Sequence, residues 1–234
     1  KNPIYHNTEI LELSVRVGFG FALQAAVPSV TTEYIMVVQH DRSFIKEFNL
    51  LQIIKSMQEI PRMRYVLIPL ASTQNYRIRM DTKFHKKGVL DNYEIFFEDL
   101  TFLPLCQFYD STHIAHIDFY NDFIFKQKMI PKNGFIEDRL GQVQVQDIRE
   151  NGMEAHSKYG TYLYGDGFEY LVQHLDGRDR LSEDQFTWQK DEKGILRRII
   201  HNVPFQSREQ SAISEAATFN SECDIPPDVF SLFD

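Results

Sequence analysis

The chain reads as an α/β domain built on a mixed, mainly parallel sheet with helices flanking it. Tyr34-Ile35-Met36-Val37-Val38 is an unbroken apolar run, the pattern of a strand buried on both faces. A helical pattern follows from Phe44 to Ile60, with Ile45, Phe48, Leu51, Ile54 and Met57 three residues apart, and then a second apolar run, Tyr65-Val66-Leu67-Ile68, closed by Pro69. Strand, helix and strand in this order predict one β-α-β unit with a right-handed crossover.

The remaining elements fall around that unit. An alanine-rich helix begins near Gly20 and stops at Pro28, and a polar turn leads from it into the first strand. The strand ends in Gln39, His40 and Asp41, polar groups at the position where an open α/β sheet holds its ligand. From Arg77 to Phe125 the pattern is irregular and rich in Phe and Tyr, with short strands at Tyr93–Phe97 and Thr101–Leu105, and reads as extra structure laid over a sheet edge. A helix runs from Ile136 to Arg149 with Leu140, Val143 and Ile148 on its apolar side, Glu137 and Asp138 in its first turn and Gly152 past its end. Strands at Thr161–Tyr164 and Phe168–Gln173 follow. The Ser/Glu-rich stretch ending with Pro226-Pro227 reads as a tail, which divides the chain into a domain over 1–204 and a tail over 205–234.

Composition narrows the function classes. With 234 residues, 43% of them apolar and 25% charged, the chain is neither a disordered tail nor a miniature disulfide scaffold. Thirty-three carboxylates against 25 Lys and Arg leave a net charge of −8, which disfavours nucleic acid or an anionic membrane as a general partner, although a local basic patch is compatible with it. Cys106 and Cys223 lie far apart and form no CxxC pair for zinc or thiol exchange. No apolar run approaches the roughly 18 residues of a membrane span, and the absence of an Asn-x-Ser/Thr sequon favours a cytoplasmic location. Membrane association would come through a segment outside this chain.

The order of features resembles the GT-A-fold glycosyltransferases of the family-2 type. The likeness lies in Gly-Phe-Ala-Leu-Gln-Ala-Ala-Val before the Thr-Thr-Glu-Tyr turn, the Ile-Met-Val-Val strand, Gln39-His40-Asp41 at its end and Glu137-Asp138 opening a later helix. It covers Gly18 to His174, about two thirds of the chain. The resemblance implies a GT-A-like, Rossmann-like sheet and a metal-assisted enzyme that moves a sugar from a nucleotide-diphosphate donor to an acceptor the sequence does not name. It further implies that Asp41 stands where the last aspartate of an Asp-x-Asp motif holds Mn²⁺ or Mg²⁺, with Gln39 and His40 on the donor side. His174 would complete the metal sphere, Asp138 would be the catalytic base and Glu137 its neighbour. Only 40 residues precede Asp41 and the chain opens on Lys1 instead of Met, so the expectation is a domain lacking its first strands.

The chemistry asks for these residue types. A departing diphosphate gathers negative charge that a hard cation on oxygen ligands neutralises, and the acceptor hydroxyl needs a carboxylate to take its proton. A single displacement with Asp138 as base inverts the anomeric configuration. Gln39 departs from the pattern, since an aspartate is expected there, and this favours a rival: a non-catalytic GT-A-like domain that binds carbohydrate or protein. A nucleotidyltransferase would need a Gly-rich loop with a lysine, which is missing. His113-x-x-His116 with Asp118 lacks the Glu of a zincin motif and reads as structural. Gly18-Phe19-Gly20 lacks the third glycine of a dinucleotide loop, no serine sits in a Gly-x-Ser-x-Gly context, and Trp188 and the tyrosines read as packing groups.

Overall fold

The computed structural model describes residues 7–132, 134–175, 186–190 and 196–200. The chain divides into two compact units, the first running to Gln173 and the second starting at His174. In the first, helix α1 (Phe19–Ala26) leads through a short turn to strand β1 (Tyr34–Val37), followed by β2 (Arg42–Phe44), α2 (Leu50–Glu59), β3 (Tyr65–Leu67) and α3 (Tyr76–Lys83). Next come β4 (Ile95–Phe97), β5 (Leu100–Pro104), β6 (His113–His116), a π-helical segment over Phe119–Phe125, α4 (Leu140–Asn151) and β7 (Thr161–Tyr164). Strand β8 (Val172–His174) pairs with β2. In the second unit β9 (Phe186–Lys190) and β10 (Leu196–Ile200) form an antiparallel hairpin. The tail expected over 205–234, with Cys223, lies outside the described residues, as does the Trp188 side chain.

The main sheet has six strands in the order β1-β6-β3-β7-β5-β4, and only β3 and β7 run parallel. β1–β6, β3–β6, β5–β7 and β4–β5 are all antiparallel. The mainly parallel, Rossmann-like sheet expected with the GT-A resemblance is therefore overturned. An apolar run says nothing about the neighbour's direction, and β1, expected to be buried on both faces, is an edge strand with Tyr34, Ile35 and Met36 only half-buried and Val38 exposed. β1 and β3 do point the same way, but β6 lies between them and is antiparallel to each. The irregular stretch thus supplies two inner strands, β5 and β6, as well as the edge strand β4.

Alternation along the inner strands builds two cores. Tyr65 and Leu67 of β3, Ala115 of β6, Leu103 of β5 and Leu163 of β7 face one side, with Met80 of α3 and Leu140 and Ile148 of α4. Val66, Ile114, Phe102 and Tyr162 face the other, where Ile53 and Met57 of α2 cover them. This division is the period-two geometry of a pleated sheet with a helical layer on each face.

Two element boundaries differ from expectation for local reasons. The helix expected from Phe44 begins at Leu50, because the Asn49 side chain accepts the Gln52 N–H at 3.1 Å and caps it, while Arg42–Phe44 is drawn into pairing with β8. Asn49→Ala is expected to cost about 1 kcal/mol, read as a lower urea midpoint with an unchanged slope. The helix expected over Ile136 to Arg149 splits into a 3₁₀ turn, Ile136–Asp138, and α4, which ends at Gly152.

Candidate functional site

The register of β6 sets the site. Val37 at the end of β1 and Leu67 at the end of β3 both lie opposite His113, the first residue of β6. The segment after β1, Val38 to Asp41, and the segment before β6, Asp110 to Thr112, therefore leave the sheet at the same end.

Both segments are closed by hydrogen bonds of their own. After β1, the Arg42 N–H donates to the Gln39 carbonyl at 3.0 Å, and Arg42 Nε donates to Gln39 Oε1 at 3.2 Å. Gln39 and Asp41 are half-buried and His40 is exposed. Before β6, Asp110 is 3% exposed and clasps Glu137 in both directions. Its N–H donates to Glu137 Oε2 at 2.9 Å, and the Glu137 N–H donates to Asp110 Oδ2 at 3.0 Å. Asp110 Oδ1 is buried with no hydrogen-bond partner among the described residues. The Asp138 Oδ2 accepts the Phe135 N–H at 3.1 Å and caps the turn, leaving this carboxylate exposed beside the clasp. Gly134 allows that cap, since a Cβ there would stand 3.2 Å from Asp138 Oδ2 and 2.6 Å from Pro131 Cγ.

Buried tyrosines and His113 wall the acidic end. The Tyr65 hydroxyl donates to the Tyr109 carbonyl at 2.6 Å, and the Tyr65 ring lies 4.4 Å from that of His113. His113 is fully buried, and desolvation takes its pKa down to about 4, so the ring is neutral. Its Nδ1–H donates to the Ser111 carbonyl at 2.6 Å, and its Nε2 accepts the Tyr120 hydroxyl. His116, three residues on, meets Glu33 at 3.2 Å and Asp118 at 3.6 Å through its two nitrogens.

Electrostatics tie the two segments together. Burial pushes the Asp110 carboxyl up to about 8, with Glu137 and Asp138 adding to the rise and the N–H groups of Glu137 and Ile136 opposing it. Burial also raises Glu137, the Asp110 N–H opposes this, Asp138 adds to it, and the positive charge of Arg42 lowers it. The effect of Arg42 on Glu137 accords with both turns standing at the same end of the sheet.

Of the residues singled out by sequence, Gln39 and Asp41 belong to the Arg42 turn, His40 is exposed there, and Glu137 and Asp138 belong to the turn clasped to Asp110. His174, the first residue of the second unit, ends β8 and is exposed. Sequence reasoning missed Asp110 and Arg42. The polar run Asp110-Ser111-Thr112 leading into β6 was the available signal, legible only once β6 is recognised as a strand beside β1.

Among the described residues no three His, Cys, Asp or Glu side chains gather as a metal-binding group. A Mg²⁺- or Mn²⁺-type ion commonly takes one or two protein carboxylates and fills its shell with substrate phosphates and water, so the hard oxygens of Asp41 suit it without a full protein cage. No helix among the described residues is long and apolar enough to cross a membrane. No known family matches the chain, and neither a curated protein nor a solved structure does.

Proposed function

We propose that the chain catalyses transfer of a sugar from a nucleotide-diphosphate donor to a hydroxyl acceptor. The observation that carries the reading is the register of β6, which brings the segment after β1, with Gln39 to Asp41, and the segment before β6, with Asp110 clasped to Glu137, to one end of the sheet, and so supports a donor side and a proton-accepting side there. The Asp110–Glu137 clasp holds the second turn in place, so that Asp138 presents its carboxylate to solvent. The acceptor oxygen attacks the anomeric carbon while the bond to the diphosphate breaks, the hydroxyl proton passes to Asp138, and the nucleoside diphosphate leaves with inversion. A divalent cation at Asp41 would supply charge neutralisation for the departing diphosphate. Gln39 and His40 orient the donor, and the Gln39 side chain also holds Arg42.

The commitment of the Gln39 amide to Arg42 also favours a second reading, in which the same end of the sheet binds carbohydrate or protein without turnover. Thermal stabilisation by UDP- and GDP-sugars with and without Mn²⁺, together with release of free sugar, separates the two. Turnover and Mn²⁺-dependent stabilisation are expected, with the latter lost in Asp41→Ala. Asp138→Asn is expected to lower turnover by roughly 10²- to 10⁴-fold while donor binding stays near wild type. No stabilisation by any nucleotide sugar leaves the binding-domain reading.

A further inference from the structure

The acidic chain carries one strongly basic stretch, Arg77 to Lys87, with Arg77, Arg79, Lys83, Lys86 and Lys87 against the single carboxylate of Asp81. Two of these charged groups are already engaged. Arg77 pairs with Asp91 at 3.6 Å and Glu94 at 3.3 Å, and Asp81 Oδ1 accepts the Val89 N–H at 3.0 Å. Arg79 and Lys83 are one turn apart on α3 and so share a face. From the last turn of α4, Arg149 brings its guanidinium 5.9 Å from the ring centre of Phe84, the residue after Lys83. Lys83 is half-buried, and its ammonium donates to the neutral Gln107 Oε1. Among the described residues, Arg79, Lys83 and Arg149 have no carboxylate partner.

Arg79 and Arg149 are exposed and screened by water, so the repulsion among these like charges falls chiefly on the half-buried Lys83, and an anion between them would relieve it. The cost registers on Lys83, which burial and then the charge of Arg149 bring down to about 8, with Cys106 opposing and Arg79 adding a lesser lowering. We propose that Arg79, Lys83 and Arg149, with the Gln107 amide beside them, bind the phosphate group of a small anionic ligand. Three cations call for a dianion. Phosphate supplies about two negative charges and acceptor oxygens enough for both guanidinium groups and the remaining ammonium protons, whereas a carboxylate balances one cation. The proposal does not depend on the sugar-transfer reading.

The test follows Lys83 by NMR of isotope-labelled lysine side chains, titrated with pH in inorganic phosphate, in acetate and in chloride at constant ionic strength. Phosphate is expected to raise the Lys83 pKa by about one unit, and acetate to do much less. Arg79→Gln and Arg149→Gln, both at exposed positions, are each expected to weaken phosphate binding roughly tenfold. Arg42→Gln, at the other site, is expected to leave it unchanged. A parallel arm measures sedimentation with phosphatidylcholine vesicles containing phosphatidic acid. Co-sedimentation lost in both Gln variants marks the phosphate as a lipid headgroup, and phosphate binding without co-sedimentation marks a soluble ester. An unmoved Lys83 titration, an equal response to acetate, or wild-type phosphate affinity in both variants overturns the proposal.

Discussion

Gly160→Ala is expected to be among the most damaging single substitutions in the chain. Gly160 has φ +63° and precedes β7, and a Cβ there would fall 2.3 Å from the carbonyl oxygen of Arg62. A side chain in this left-handed conformation costs roughly 1–2 kcal/mol before any clash is counted. The clash is with backbone, so no rotamer relieves it. The Gly160 carbonyl meanwhile accepts the N–H groups of Arg64 at 2.9 Å and Tyr65 at 3.2 Å, so moving it disturbs the start of the β3–β7 pair, where Tyr65 faces Thr161. The combined loss is on the order of 4 kcal/mol. Urea unfolding of the variant should show a markedly lower midpoint at an unchanged slope. A midpoint equal to that of the wild type would mean that the turn rearranges at little cost.

The second large effect depends on pH and comes from Asp110. Its carboxyl rises from 3.8 in the unfolded chain to about 8 in the fold. Below about pH 4 both states hold the proton and the buried carboxyl is at its least costly. Between pH 4 and pH 8 the unfolded chain releases the proton while the native state keeps it, so stability falls with rising pH by up to about 1.4 kcal/mol per unit. Above pH 8 the contribution is flat. Glu137 is raised as well and acts with the same sign. Asp110→Asn has no such titration, and its amide oxygen still accepts the Glu137 N–H. Its stability is expected to depend less on pH by about one proton over this interval and to exceed that of the wild type at pH 8. Asp110→Ala also removes the acceptor, and a further loss of about 1–3 kcal/mol is expected. Chemical unfolding of the three proteins from pH 4 to pH 9 measures both effects, and parallel curves for wild type and Asp110→Asn would overturn the account.

The elements legible in the sequence were those with a long or unbroken apolar pattern. β1, β3, β7, α1 and most of α4 fall close to their expected places. β6 was not legible, because its only apolar residues are Ile114 and Ala115 between two histidines, and a four-residue strand flanked by polar groups has no periodicity to read. Missing β6 led to the wrong sheet: with the inner antiparallel strand unseen, β1 and β3 appear adjacent and parallel. The start of α2 was misjudged because Ile45 and Phe48 keep helical spacing upstream of the Asn49 cap. In the candidate site, Glu137 and Asp138 stand out locally as carboxylates at a helix start. Asp110 becomes visible only through its partner, since its burial and its clasp with Glu137 follow from the register of β6 and not from its neighbours in the chain.

The position of β6 has a consequence for how the protein is made. β1 lies at the end of the sheet, and β6 is its neighbour there. As the polypeptide leaves the ribosome, Tyr34–Val37 has no strand of this sheet to pair with until His113–His116 has been synthesised, and β3 is also without its antiparallel neighbour until then. An apolar run of the domain thus spends that interval unpaired, when it is most open to chaperones and to wrong association. Closure of the β1-β6-β3 part of the sheet is therefore a late event set by one short strand, and a ribosome stalled before His113 would carry a sticky, unfinished chain.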